Sequence, residues 1–282
     1  MTASPAAGVT DAPALYLDLL KNCLTRYIFG EGYRELDVPR RGVWRFVAPP
    51  ADRLLEWLDV RVVRPVHFDP ALRAEGKDRP LDAETMIGLR RLENLQHCVV
   101  DALANGVPGD LIETGAWRGG ATIFMRGILK AYGVTDRTVW VADSFQGLPK
   151  PSGDYEADRG DRHWVSSTLV VPLDEVKANF ARYGLLDDQV RFLVGWFSET
   201  LPAAPVDKLA VMRLDGDMYE STSVALESLY PKLSPGGYVI IDDWGAVRGC
   251  RLAVEDFRAR HDVRDAIQEI DWAGVYWQKS RA

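Results

Sequence analysis

The chain holds no apolar run approaching the ~18 residues of a membrane span. Its first ten residues, Met1 to Thr10, carry no basic segment of the kind that opens a secretory signal. Cysteine is scarce: Cys23, Cys98 and Cys250 are scattered and odd in number, with no CxxC pair. That usage predicts reduced, mostly buried thiols in a cytoplasmic protein. No long basic block is present, and 34 basic against 41 acidic residues give a net charge of −7. Nucleic acid and anionic membrane are therefore not expected as partners. The dinucleotide fingerprint GxGxxG, a Tyr-x-x-x-Lys pair and internal repeats are missing as well. What remains is 282 residues with 47% hydrophobic content. This suffices for one large α/β domain with an elaborated end, or two small domains.

The pattern along the chain is strand–helix alternation. Residues 1–12 read as a disordered lead, and Leu15, Leu19, Cys23 and Tyr27 recur at helical spacing. Residues 30–80 are irregular and rich in Arg, Pro and aromatics, including Tyr33, Arg40, Arg41, Trp44, Phe46 and Trp57. A long helix is expected from Ala83 to Asn105, with Asp82 as its N-cap and Gly106 and Pro108 ending it. Strands are expected at Asp110–Glu113, Thr138–Ala142, Val190–Val194, Leu209–Leu214 and Tyr238–Ile241. Helices are expected at Ala121–Tyr132, Val176–Tyr183, Ser221–Leu233 and Arg251–Arg260. Ala266–Ile270 and Val275–Gln278 read as a closing antiparallel hairpin. The fold expected is a mostly parallel, doubly wound α/β sheet with right-handed crossovers. Residues 1–82 would form an N-terminal cap over the main domain, 83–282. The polar stretch 146–168 is too long for an ordinary connection of about 2–6 residues, and reads as a lid or a disordered insertion.

Two acid-tipped strands carry the chemistry. Val211-Met212-Arg213-Leu214 ends in Asp215-Gly216-Asp217, and Val239-Ile240-Ile241 ends in Asp242-Asp243. The 27 residues from Asp215 to Asp242 leave room for one helical crossover, so parallel pairing would bring both acidic ends to one sheet edge. Asp215, Asp242 and Asp243 fit a hard cation such as magnesium or calcium, with no His or Cys nearby in sequence to suggest zinc. A divalent cation there would lower the pKa of a substrate hydroxyl. A remaining carboxylate, Asp217 or else Asp215, would take its proton. A single Asp after a strand is usually a turn former or cap, and Asp217 precedes a helix.

The other edge reads as a nucleoside site. Glu113-Thr114-Gly115-Ala116-Trp117-Arg118-Gly119-Gly120 lies at a strand-to-helix turn, with Trp117 where a pyrophosphate-binding loop needs glycine. S-adenosylmethionine has no phosphates and does not need that glycine. Asp143 ends the second strand, placed to accept ribose hydroxyls. Gly195-Trp196-Phe197-Ser198 follows the third strand, where Trp196 or Phe197 could cover an adenine and Ser198 bond its edge; core or rim packing is the plainer reading of the two aromatics. His163 and Trp164 suit a lid or a solvated loop; His67, His97 and His261 read as structural or surface residues. Trp244 suits sugar stacking and core packing equally.

The phrases Leu111-Ile112-Glu113-Thr114-Gly115, Ala142-Asp143-Ser144-Phe145-Gln146-Gly147-Leu148-Pro149, Gly195-Trp196-Phe197, Arg213-Leu214-Asp215-Gly216-Asp217-Met218-Tyr219-Glu220-Ser221-Thr222 and Pro235-Gly236-Gly237-Tyr238-Val239-Ile240-Ile241-Asp242-Asp243 resemble the macrocin O-methyltransferase family. The likeness runs from about Ala14 to Lys279 and is dense from Glu113 onward; at residues 30–80 no family pattern is matched. It implies a Rossmann-like class I methyltransferase with a seven-stranded sheet, a C-terminal antiparallel hairpin and added N-terminal helices. It also implies S-adenosylmethionine and Mg2+ as cofactors and a homodimer or larger assembly. The acceptor implied is a deoxysugar hydroxyl of a glycosylated natural product. Alternatives are a phenolic or aglycone hydroxyl, and a nicotinamide-dependent sugar oxidoreductase or epimerase. A non-catalytic metal- or nucleotide-binding module is the reading from outside the enzymes.

Carried over to this chain, the resemblance implies Asp215, Asp242 and Asp243 as metal ligands, and Asp217 or Asp215 as base. Asp143 would hold the ribose, with Ser144 beside it. Glu113, Thr114 and Gly115 would lie at the methionine side of the cofactor. Thr85 and Met86, in Thr85-Met86-Ile87-Gly88-Leu89, would lie near its methionine end.

Overall fold

A computed structural model of the chain describes residues 12–36 and 53–281. Residues 1–11 of the expected N-terminal lead, and Arg40, Arg41, Trp44 and Phe46, lie outside the described residues; residue 12 of that lead opens a helix. A small antiparallel pair, β1 (Tyr33–Glu35) and β2 (Val63–Pro65), stands apart from the main sheet. The main sheet comprises β3 (Asp110–Thr114), β4 (Val139–Asp143), β5 (Val190–Val194), β6 (Leu209–Leu214), β7 (Leu233–Ile241), β8 (Gln268–Glu269) and β9 (Val275–Gln278). Its order is β5-β4-β3-β6-β7-β9-β8. The first five strands in that order run parallel, and β9 pairs antiparallel with both β7 and β8. The expected seven-stranded, mostly parallel sheet is present.

β6 is buried at all six positions, as expected of a central parallel strand covered on both faces. Helices among the described residues include α1 (Ala12–Leu24), α2 (Pro70–Ala74), α3 (Gly88–Ala104), α4 (Gly120–Ala131), α5 (Leu173–Arg182), α6 (Phe197–Thr200), α7 (Tyr219–Leu229) and α8 (Arg248–Arg260). Leu92, Leu95, Val99 and Ala102 of α3, and Ile123, Phe124 and Ile128 of α4, pack one core with Leu111 and Val141. Leu17, Leu20 and Leu24 of α1 join that same core. On the opposite face, Leu226 of α7 and Phe257 of α8 pack on Met212, Val239 and Trp277. The chain steps outward from β3 through β4 to β5, then returns to place β6 on the other side of β3. That reversal opens a crevice beyond the carboxyl ends of β3 and β6, where open α/β sheets bind ligands.

Three local expectations change. The helix expected from Ala83 begins at Gly88, and its N-cap position, Ile87, has no side-chain cap, so Asp82 does not cap it. The preceding backbone is engaged elsewhere: Glu84 and Thr85 N–H donate to the Leu24 carbonyl, and Gly88 sits at φ +77°. That leaves Thr85 and Met86 in an irregular strap instead of a helix. The stretch 146–168 is neither a helix nor featureless. It forms short 3-10 turns at Glu156–Asp158 and His163–Val165, with a third at Ser167–Leu169. The hairpin strand expected over Ala266–Ile270 shrinks to Gln268–Glu269. All three cysteines are free, with Cys98 and Cys250 buried. Among the described residues, no helix is long and apolar enough to cross a membrane.

Candidate active site

One cavity of about 1140 Å³ opens at the crevice. Thr85, Met86, Glu113, Gly115, Asp143, Ser144, Gly195, Trp196, Phe197, Ser198, Asp215, Asp217, Asp242 and Asp243 all line it. Thr114 does not: it is fully buried and its hydroxyl has no partner. Parallel pairing explains the convergence, because Glu113 lies opposite Arg213 and Leu214 opposite Ile241. The turns after β3 and β6 then touch. A Cβ added to Gly115 (φ +87°) would lie 1.8 Å from the Asp215 carbonyl oxygen, so only glycine fits there.

On the β3–β4 side, Asp143 is held by backbone. Its Oδ2 accepts from Ala116 N–H at 2.7 Å and its Oδ1 from Phe145 N–H at 2.7 Å. Burial raises its pKa and these amides oppose the rise. The Trp117 backbone N–H and the Ser144 side chain oppose it as well. Trp117 adopts φ +48°, the left-handed conformation that glycine would supply in a dinucleotide loop. Its indole Nε1 donates to the Thr168 carbonyl at 2.9 Å, tying the β3–α4 turn to the 146–170 segment.

On the β6–β7 side, the carboxylates are crowded. Ligand oxygens of Asp215, Asp242 and Asp243 lie within 4.8 Å of one another. Asp243 Oδ2 accepts the Asp217 N–H at 3.2 Å, and Asp217 itself sits at φ +56°. Burial, reinforced by Asp242, pushes Asp215 up to about 8. Burial pushes Asp217 up to about 6, against an opposing pull from His163. Asp243 is driven well above the usual carboxylate range by burial and by Asp217, Asp215 and Asp242. Glu113 is raised to about 7 by burial, against Arg213.

Two arginines not singled out as site residues from sequence anchor this cluster. Arg213, fully buried on β6, donates to Glu113, to Asp215 Oδ2 at 2.9 Å and to Asp242 Oδ1. Arg91 of α3 donates to the other Asp242 oxygen and to Asp271 Oδ2 at 2.8 Å, and lies over the Trp272 ring. A signal for Arg213 existed: a guanidinium inside an otherwise apolar strand needs acidic partners. Nothing local announces Arg91, which lies 151 residues from Asp242.

Asp217 does not cap α7. The N-cap position is Met218, and the capping carboxylate comes from the 146–170 segment. Asp158, buried, accepts Tyr219 N–H at 2.7 Å and Glu220 N–H at 3.0 Å. Tyr155 packs on Tyr219, and Ser152 Oγ donates to Glu220 at 3.0 Å. This segment also brings Arg162 and His163 to the cavity wall; Trp164 is not part of the lining. Trp244 packs against the core beneath Arg251, whereas Trp272 lines the cavity. His97 lies between Tyr238 and Tyr276, His261 bonds Glu227, and His67 is exposed.

Residues 13–279 match the family model described as Macrocin-O-methyltransferase (TylF). The chain belongs to this O-methyltransferase family. It is 54% identical over 275 residues to the 8-demethyl-8-(2,3-dimethoxy-alpha-L-rhamnosyl)-tetracenomycin-C 4'-O-methyltransferase of Streptomyces olivaceus, covering 96% of this chain and 95% of that one. It is 57% identical over 214 residues to the demethyldecarbamoylnovobiocin O-methyltransferase of Streptomyces niveus, covering 74% and 81%. The solved structure of the O-methyltransferase NovP superposes with a TM-score of 0.81 at 47% identity, covering 95% of this chain and all of that one.

Proposed function

We propose that this O-methyltransferase uses S-adenosylmethionine and Mg2+ to methylate a deoxysugar hydroxyl of a glycosylated natural product. The observation that carries the reading is the meeting, in one cavity, of a nucleoside-type edge with three carboxylates within 4.8 Å of one another. The sugar acceptor is supported by the rhamnosyl group in the name of the Streptomyces olivaceus relative.

The residues fit both groups. Glu113, Asp215, Asp217, Asp242 and Asp243 outnumber the cations beside them, Arg91, Arg213 and the His163 that acts on Asp217, so a divalent cation would relieve an excess of buried negative charge. The donors are oxygen alone, which suits Mg2+. Asp215, Asp242 and Asp243 would hold it, and when bound it would lower the pKa of a hydroxyl. Asp143 would accept the ribose hydroxyls, and Trp196, Phe197 and Ser198 would border the adenine. Thr85, Met86, Glu113 and Gly115 would meet the methionine end, and the cofactor would supply an electrophilic methyl group. Proton removal falls to the Asp217 side of the cavity, with Asp217 or Asp215 as carboxylate base. Positioning of the hydroxyl against the methyl group carries much of the rate.

The segment 146–168 serves in this reading as a lid that closes the acceptor side. The division proposed at residue 82 would leave 1–82 to shape the acceptor pocket of the main domain 83–282. The enzyme would act in the cytoplasm as a homodimer or larger assembly. Methyl transfer to the rhamnosyl tetracenomycin acceptor, with and without chelator, tests the function. Asp242→Asn with Asp243→Asn is expected to abolish transfer while S-adenosylmethionine still binds by calorimetry. Full turnover by the double variant would overturn the metal assignment.

A further inference from the structure

We propose that Trp272 is the platform on which the sugar ring of the acceptor stacks. The inference rests on the proposed function and adds to it the residue that grips the sugar. Sheet order sets where such a platform is needed. Along β5-β4-β3-β6-β7-β9, Asp143 ends β4, Trp196 to Ser198 follow β5, and the acidic cluster lies at the ends of β6 and β7. An acceptor hydroxyl at that cluster has the nucleoside-type edge on one side and the turn before β9 on the other. Neighbouring strands lie about 4.8 Å apart, so that turn is within reach of a ring held at the end of β7.

Trp272 occupies the turn between β8 and β9 and lines the cavity with Ala273, Ala246 and Val247. It is 46% exposed, yet its position is tightly set. Asp271 Oδ1 accepts the N–H groups of Ala273 at 2.9 Å and Gly274 at 2.8 Å, closing the turn. The Ala273 carbonyl accepts the Gly245 N–H at 2.8 Å, docking the turn on the loop that follows Asp243. A Cβ added to Gly245 would lie 2.2 Å from the Trp272 carbonyl oxygen, so that contact needs glycine. Trp272 Nε1 donates to the Glu75 carbonyl at 2.9 Å, which fixes the ring. The Arg91 guanidinium lies 5.4 Å from the ring centroid and also donates to Asp242. A single guanidinium therefore separates the indole from a proposed metal ligand. With Arg91 over one face, the opposite face is left for a ligand. Trp244, weighed for sugar stacking from its place in the sequence, packs against the core instead.

A deoxysugar is the group this wall suits. Its C–H bonds carry partial positive charge, and its missing hydroxyl enlarges the apolar face that meets the negative face of an indole. Ala246, Val247 and Ala273 extend the apolar surface, and Lys77 and Asp78, which follow the Glu75 anchor, bring polar groups to the same cavity. A mostly apolar wall with a few polar groups is the usual make-up of a small-molecule site. Stacking fixes the plane of the sugar and leaves the hydroxyls at its rim for the carboxylates. Because the indole is fixed before the acceptor arrives, little side-chain ordering opposes binding. Trp196 and Phe197 follow β5, on the far side of the acidic cluster, and do not compete for this role.

The test uses the full chain with Mg2+, S-adenosylmethionine and the rhamnosyl tetracenomycin acceptor. Trp272→Ala is expected to raise KM for the acceptor roughly tenfold, as loss of a stacked aromatic does, while kcat and the affinities for S-adenosylmethionine and Mg2+ stay near those of the unaltered enzyme. Trp272→Phe keeps an aromatic face without the bond to Glu75, and holds KM within about threefold. Trp272→Gln keeps a donor without the ring, and behaves as Trp272→Ala. The reverse ranking of these two variants assigns the indole a structural role alone and overturns the proposal. In a readout independent of turnover, methyl α-L-rhamnopyranoside is added with Mg2+ and S-adenosylhomocysteine and followed by NMR. Ring current moves its C–H and methyl signals upfield with the unaltered enzyme and Trp272→Phe, and not with Trp272→Ala. No upfield shift with the unaltered enzyme, a shift that persists in Trp272→Ala, or an unchanged acceptor KM overturns the platform. So does a Trp272→Ala variant that loses inhibition by the sugar-free aglycone yet still binds the rhamnoside. Absence of metal-dependent transfer by the unaltered enzyme overturns the proposed function itself.

Discussion

The two sides of the cavity treat their carboxylates in opposite ways. At the carboxyl end of β4, Asp143 is buried, and both its oxygens are already held by the amides of Ala116 and Phe145. At the ends of β6 and β7, Asp215, Asp217, Asp242 and Asp243 crowd one another, and Arg213 and Arg91 neutralise only part of their charge. The first side is complete without a cation: a carboxylate shaped by the backbone around it. The second is electrostatically incomplete. Acids that are stable only when protonated or metal-bound mark where chemistry happens, whereas a satisfied acid marks where a ligand is held.

The largest expected break in this contrast is Arg213→Met. It leaves Glu113, Asp215 and Asp242 without their shared guanidinium. Removing one partner from a buried charge network typically costs about 3–5 kcal/mol, so the unfolding midpoint in urea should fall steeply. Asp143→Ala should cost less stability and act on the cofactor. Loss of a charged acceptor costs about 1.5–3 kcal/mol, so S-adenosylmethionine affinity should fall roughly 10- to 100-fold by calorimetry, with Mg2+ binding retained. An equal loss of Mg2+ binding would erase the distinction between the two sides.

A third prediction concerns pH. Glu113 at about 7, Asp215 at about 8 and Asp217 at about 6 all lie above ordinary carboxylates. Each favours the folded state below its unfolded pKa, and that contribution is lost as pH rises through its folded value. In chelator, the thermal midpoint should therefore fall between roughly pH 5.5 and 8.5, and saturating Mg2+ should remove most of the fall. A flat or rising midpoint in chelator would contradict the crowding. The smallest expected effect is that of Asp158→Ala, which removes the cap of α7 at a cost of about 1 kcal/mol. Limited proteolysis should then cut faster within residues 146–168.

Strand–helix alternation and the acid-tipped runs made the sheet and its reactive edge legible in the sequence. Parallel register did the rest, bringing Asp215 and Asp242 together across β6 and β7. Partners far apart in the chain were not legible. Arg91 reaches Asp242 across 151 residues, and Asp158 reaches Tyr219 across 61, with no periodicity linking either pair. Asp82 misled for a local reason: it suits an N-cap, but the strap 83–87 bonds to Leu24 and Gly120 instead of winding into a helix. Trp117 misled less, since it shows that the turn needs the left-handed conformation even without glycine.

The central claim is that the crowded side holds a divalent cation. Titration of Mg2+ by calorimetry into the metal-free enzyme, beside the Asp242→Asn, Asp243→Asn variant, tests it directly. The account predicts one binding event in the unaltered enzyme and none in the variant, with both still binding S-adenosylmethionine. Equal Mg2+ binding by the two proteins, or none by either, would contradict it.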